Sequence, residues 1–187
     1  MADAKMNDPT KLPPFPGATG FIHHVDEAPA YWMQNFLWIM LADSADTGGR
    51  WSMMEQLMPM GVGPPPHKHL WSDETFYIMD GTITFLIGEE IRTASKGSFI
   101  CVPRATRHGF RVDSDTARIL NGYTPASWEA FIAENGKRTE KRVLPEPEKE
   151  QIGGAGKMPE ELVTRYGLIW LEEPDPLEPR RYRWDHD

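Results

Sequence analysis

An all-β sandwich or barrel with short helices near the C-terminus is the fold this sequence predicts, and three observations predict it. Short runs of residues alternate apolar and polar at period two, the pattern of strands with one buried face. The runs are evenly spaced and divided by turn-forming residues, which suits many short strands better than long helices. The 17 prolines leave a proline-free middle between Pro66 and Pro103, flanked by two proline-bearing ends.

Taken in order, residues 1–19 hold Pro9, Pro13, Pro14, Pro16 and Gly17 and read as an extended arm. The folded unit is expected over residues 20–143. Its strands are expected at 51–60, 75–80, 82–88, 98–102, 106–112 and 117–123. Asp80-Gly81 lies between two such runs and predicts a two-residue hairpin, because a type I′ turn needs positive φ and glycine adopts it freely. Gly88-Glu89 reads as a second turn. A helix is expected at 127–136, where Ser127 can cap the first turn, an acid follows and Gly136 ends the run. The C-terminal extension, 144–187, opens with a polar linker and carries one short helix at 158–167, with proline in its first turn and Gly167 as its stop.

At 187 residues and 21.3 kDa the chain makes one compact domain with arms to spare. No stretch approaches the ~20 consecutive apolar residues that span a bilayer, so a membrane is not an expected partner. With 28 Asp+Glu against 20 Lys+Arg, the formal charge is -8, and a surface of that sign repels nucleic acid. A single cysteine, Cys101, and an N-terminus without the apolar core of a secretion signal point to a reducing cytoplasm.

Chemistry-bearing residues gather in the proline-free middle. His67 and His69 are two apart, so on a strand both side chains leave the same face and their imidazoles can converge on one cation. The polar stretch Leu70-Trp71-Ser72-Asp73 resets the parity and lets Glu74 begin the next strand pointing inward, with Asp73 as a competing carboxylate. His108 lies on a separate strand, and Phe110 and Val112 share its face, so it too points toward a core. His23, His24 and His186 carry no comparable pattern. Burying three imidazoles and a carboxylate with no cation would leave polar groups unpaired at a cost of about 1–3 kcal/mol each. The donor set suits one divalent transition metal, whether Fe, Mn, Ni, Co, Cu or Zn, with coordination positions left open for chemistry.

Gly61-Val-Gly-Pro-Pro-Pro-His67-Lys-His69-Leu-Trp-Ser-Asp-Glu74, followed by six residues and Gly81, resembles the first motif of the cupin family at every marked position. Gly97, Pro103 and His108 resemble the second, although Ala105 stands where the family has glycine and Val112 where it has asparagine. Those departures touch the turn before His108 and one strand partner, and neither removes a ligand. The likeness covers residues 51–123. Asp46-Thr-Gly-Gly-Arg-Trp51 and Phe99-Ile-Cys-Val-Pro-Arg104 are further similar to small single-domain cupins of the quercetin 2,3-dioxygenase-like group.

The resemblance implies a cupin double-stranded β-helix, that is, a jelly-roll barrel. It implies His67, His69, Glu74 and His108 as metal ligands, with Glu74 preferred to Asp73 because only Glu74 has the six-residue distance to Gly81. Asp73 then braces the turn or meets solvent. The activity implied is a metal-dependent dioxygenase cleaving an aromatic or enolisable small molecule, such as the flavonol quercetin, with dioxygen as co-substrate and Glu74 also taking the substrate proton. Ligand chemistry alone leaves open an isomerase, lyase or hydrolase on the same site, and a small-molecule binding or sensor module.

Other residues take simpler readings. Trp32, Trp38, Trp51 and Trp128 read as core aromatics, with Trp71 the one to watch as a substrate contact. Cys101 reads as a small buried hydrophobe. Strand 51–60 must turn Glu55 or Gln56 inward, where it would brace a ligand, although outward solvation is the simpler expectation for each. Exposed sheet edges and the apolar segment 31–41 together point to a homodimer.

Overall fold

The computed structural model describes residues 20–146 and 164–178. The expected arm at 1–19, most of the expected helix at 158–167 and the tail with His186 lie outside them. Thr164 and Arg165 are helical and Gly167 has φ of 68°, so the expected glycine stop is present.

Among the described residues the elements follow in the order β1 Ala30–Met33, β2 Phe36–Ala42, α1 Ser44–Thr47, β3 Ser52–Pro59, β4 His67–His69, β5 Asp73–Asp80, β6 Thr82–Ile87, β7 Glu90–Ser95, β8 Phe99–Val102, β9 His108–Val112, β10 Thr116–Thr124, α2 Trp128–Asn135, β11 Lys137–Thr139 and β12 Leu168–Trp170. They pair antiparallel in two sheets. One runs β11-β1-β2-β3-β10-β5-β8 and the other β12-β4-β9-β6-β7. This is the jelly-roll barrel expected of the sequence. Inward residues of both sheets, among them Met54, Met58, Phe76, Ile78, Ile83, Phe85, Phe110 and Ile119, form one core. Each such side chain contributes about 1.5–3 kcal/mol by leaving water, which gives the barrel its rigidity. Among the described residues no helix is long and apolar enough to cross a membrane.

The chain departs from expectation at several places, each with a local cause. Asp80-Gly81 is not a hairpin, because β5 belongs to the larger sheet and β6 to the smaller. Gly81, at φ of 90°, turns the chain between sheets, and a Cβ there would strike the Thr116 carbonyl and the Ser114 hydroxyl. The true hairpin is at Gly88-Glu89, joining β6 to β7. Residues 31–41 are not a free apolar segment: they form β1 and β2, inside the larger sheet. Phe36, Trp38 and Met40 face the core, while Leu37 and Ile39 pack with Ala28 and Ala30 on the opposite face. Arg142 ties that outer layer down by donating to the carbonyls of Val25, Asp26 and Ala28.

Cys101 is exposed, not buried. It pairs with Thr75 on edge strand β8, and the parity that turns Val102 inward turns Cys101 out. At α2, Ser127 makes no side-chain cap; its hydroxyl meets that of Ser72, while its backbone N–H donates to Glu129 at 2.8 Å. Residues 164–178 also add strand β12, whose Leu168 and Trp170 pair with His69 and His67 of β4.

Candidate metal centre

Three strands bring the four proposed ligands together. β4 turns His67 and His69 inward and leaves Lys68 half-buried on the other face, as two-residue spacing requires. The one β4–β9 pair places His67 beside His108. β5, from the opposing sheet, presents Glu74 near its start, held in register opposite Tyr123 of β10. All four side chains are buried, and their ligand atoms lie within 4.8 Å of one another. Asp73 points elsewhere, accepting hydrogen bonds from the Arg104 backbone N–H at 2.9 Å and its Nε at 3.0 Å, and so braces the turn.

Hydrogen bonds fix the imidazole tautomers. His67 Nδ1 lies 2.9 Å from the Pro65 carbonyl and His108 Nδ1 lies 2.8 Å from the Thr106 carbonyl. A carbonyl only accepts, so both Nδ1 atoms carry hydrogen, and in a neutral ring Nε2 keeps its lone pair. The turn that delivers His108 passes through Ala105 at φ of 61°, which explains why glycine is the family's residue there.

The cluster is electrostatically one-sided. Burial holds His67 well below the ordinary imidazole range and His69 down to about 4, so both are neutral at pH 7. Burial alone would raise Glu74, but the positive charge that His69, His108 and His67 carry once protonated outweighs it, and the carboxyl lies well below the usual range. Glu74 Oε2 lies 2.9 Å from His108 Nε2 and 3.4 Å from His69 Nε2. A lone pair facing a carboxylate oxygen is repulsive, so this contact calls for positive charge between the partners. His69 Nδ1 is buried and has no partner among the described residues. Nitrogen and oxygen donors, fixed tautomers and a buried negative charge together fit a divalent transition metal.

Sequence reasoning missed the group that holds the far side of Glu74. Its Oε1 accepts from the Tyr123 hydroxyl at 2.6 Å and from Asn121 Nδ2 at 2.9 Å. Asn121 Oδ1 accepts in turn from Gln56 Nε2 at 2.8 Å. Burial, and then the Glu74 charge, push the Tyr123 phenol well above its ordinary range, so it stays a donor. Period-two parity along β10, with Ala117, Ile119, Asn121 and Tyr123 all buried, was the available signal. Neither candidate of β3 is solvated: Gln56 faces the site, and Glu55 pairs with Arg118 at 2.7 Å.

Beside the cluster opens a cavity whose empty volume, counting its mouth, is about 370 Å³. Phe36, Trp38, Phe110, Tyr123, Trp128 and Trp170 wall it. Trp128 meets His69 edge-on at 5.5 Å and Trp170 lies 5.4 Å from His67. Trp71, by contrast, is 49% exposed and packs against Gly167, away from the cavity.

Residues 53–122 match the family model described as the cupin domain. Over 143 residues the chain is 29% identical to quercetin 2,3-dioxygenase of Bacillus subtilis (strain 168), an alignment covering 76% of this chain and 42% of that protein. The chain thus spans about two fifths of the length of that curated relative. Among solved structures, KdgF from Halomonas sp. superposes with a TM-score of 0.53 at 16% identity, covering 60% of this chain and 99% of that one. An RmlC-like cupin from Shewanella frigidimarina superposes at 0.52 and 14% identity, covering 59% and 95%. At such identities these two superpositions speak for the fold alone.

Proposed function

We propose, from the match of residues 53–122 to the cupin domain, a metal-dependent dioxygenase that cleaves a small aromatic or enolisable molecule, with His67, His69, Glu74 and His108 as ligands of one divalent transition metal. One observation carries the reading: three imidazoles and a carboxylate, all buried, turn their ligand atoms onto a common point beside an aromatic-walled cavity. When bound there, a redox-capable ion would ease proton loss from a coordinated substrate hydroxyl and mediate electron transfer from the deprotonated substrate, which is what is oxidised, to dioxygen.

The chain's own residues do the rest. Trp38, Phe110, Trp128 and Trp170 exclude water and offer ring faces to an aromatic substrate. Glu74 keeps Oε2 toward the imidazoles and Oε1 toward Tyr123. In this reading a proton leaving the substrate reaches Glu74 directly at Oε2, or at Oε1 through the Tyr123 hydroxyl, which gives up its own proton as it accepts the new one. Similarity to a quercetin 2,3-dioxygenase makes flavonols the first substrates to try.

The test is to quantify metals in the purified protein and follow oxygen uptake with flavonols, catechols and β-diketones. Uptake that tracks iron, nickel or manganese is expected; turnover with no uptake for any metal would move the site to isomerase, lyase or hydrolase chemistry. Glu74→Gln is expected to lower turnover more than metal content. Equal loss of both would reduce Glu74 to a ligand only.

A further inference from the structure

Resting on that reading of the site, we infer that Gln56 is a specificity-determining residue: its Oε1 accepts a hydrogen bond from a substrate hydroxyl or N–H, so the cavity selects molecules that carry such a donor. The orientation of Gln56 follows from a chain of fixed polarities. Glu74 Oε1 and the Thr75 carbonyl can only accept, and Asn121 Nδ2 lies 2.9 Å from the first and 3.3 Å from the second. Asn121 therefore turns Oδ1 toward Gln56, whose amide must answer with its NH2 group, at 2.8 Å. That leaves Gln56 Oε1 as the remaining acceptor.

Gln56 is 2% exposed and lines the cavity, and this oxygen is buried with no partner among the described residues. Such an acceptor is costly to leave unmade, a cost that a substrate donor removes and a methylated analogue does not. Trp170, which also lines the cavity, carries a second buried polar atom, Nε1, with no partner among the described residues. Aromatic walls with these isolated polar atoms describe a site for a compact hydroxylated ring.

The experiment measures binding of catechol and of guaiacol, its mono-methyl ether, to the metal-loaded full-length protein by calorimetry, with metal content measured in parallel. The wild type is expected to favour catechol. Gln56→Met should cut that preference about tenfold, while Gln56→Glu in its protonated form, whose hydroxyl still donates to Asn121 Oδ1 and whose carbonyl still accepts, should retain it. Direct metal coordination by catechol is common to every variant, so the change in preference isolates Gln56. An unchanged preference in Gln56→Met, with both probes still bound and metal retained, overturns the assignment and leaves the metal-site reading standing. Should Gln56→Met fail to fold, Gln56→Leu takes its place with the same readings: a preference cut about tenfold supports the assignment and an unchanged one overturns it. A wild type that holds no metal, or binds neither probe, sinks both.

Discussion

Tyr123 lends Glu74 a hydrogen bond of 2.6 Å from a phenol that stays protonated, and Asn121 adds a second from the same side. Groups that orient a metal ligand typically matter 10–100-fold in metal affinity, although they never touch the ion. Tyr123→Phe should therefore weaken metal binding by about tenfold, measured by competition with a chromophoric chelator, and leave the folded circular dichroism spectrum intact. Unaltered affinity would make the phenol a mere wall of the cavity. Ala105 offers the opposite kind of test. At φ of 61° it carries a strain that glycine lacks, so Ala105→Gly should raise stability by about 0.5–1 kcal/mol in urea unfolding, with no loss of metal. At this scale the ligands were legible because parity and spacing are local properties. His67 and His69 announce a shared face by being two apart, and Glu74 by its distance to Gly81. Tyr123 and Asn121 were not, because their link to Glu74 is a register between β5 and β10, separated by more than forty residues of chain.

Elements reveal where period-two reasoning succeeds and where it stops. β5 alternates cleanly, β10 does so through Ile119, and both show in the sequence as strands; β2, Phe36–Ala42, is apolar throughout and reads in the sequence as a surface for association. A strand covered on both faces has no polar side to alternate with, and sequence alone cannot distinguish it from a sticky arm. Leu37→Ala separates the two readings. On a free segment the change would cost almost nothing, whereas Leu37 at 2% exposure should cost about 2–5 kcal/mol in denaturant unfolding. β7, Glu90–Ser95, is hidden for the converse reason: it is exposed along nearly its whole length, so no apolar–polar alternation marks it. The corner at Gly81 carries the same turn chemistry as a hairpin, and only the sheet assignment of its flanking strands tells them apart. β12 is three residues long, too short for any period, yet it brings Trp170 to the cavity wall.

Acid should act on the whole molecule through buried His67, His69 and Glu74. An unfolded histidine titrates near 6.5, while folded His69 is held down to about 4 and folded His67 lies well below its ordinary value. Between those limits the unfolded chain binds protons that the folded chain refuses, so stability falls as pH drops from about 6.5 toward 4. Glu74 adds to this lower down: its folded pKa is depressed, so its contribution is present above the unfolded value and lost as pH falls below about 4.5. The formal charge of -8 works in the other direction, because protonating surface carboxylates relieves repulsion, but that relief is spread over a screened surface while the histidine cost is concentrated in a dry cluster. Metal binding sharpens the dependence, since protons compete with the ion for the same nitrogens, and an ion present at about 100 times its Kd adds about 2.7 kcal/mol that acid removes. Thermal unfolding of chelator-treated protein should thus show Tm falling from pH 7 to pH 4.5, and metal-loaded protein should start higher and converge on the same value as the ion leaves. A chelated protein whose Tm holds flat or rises on acidification would mean that the imidazoles are not buried neutral. A metal increment that persisted at pH 4.5 would place the ion on ligands other than these histidines.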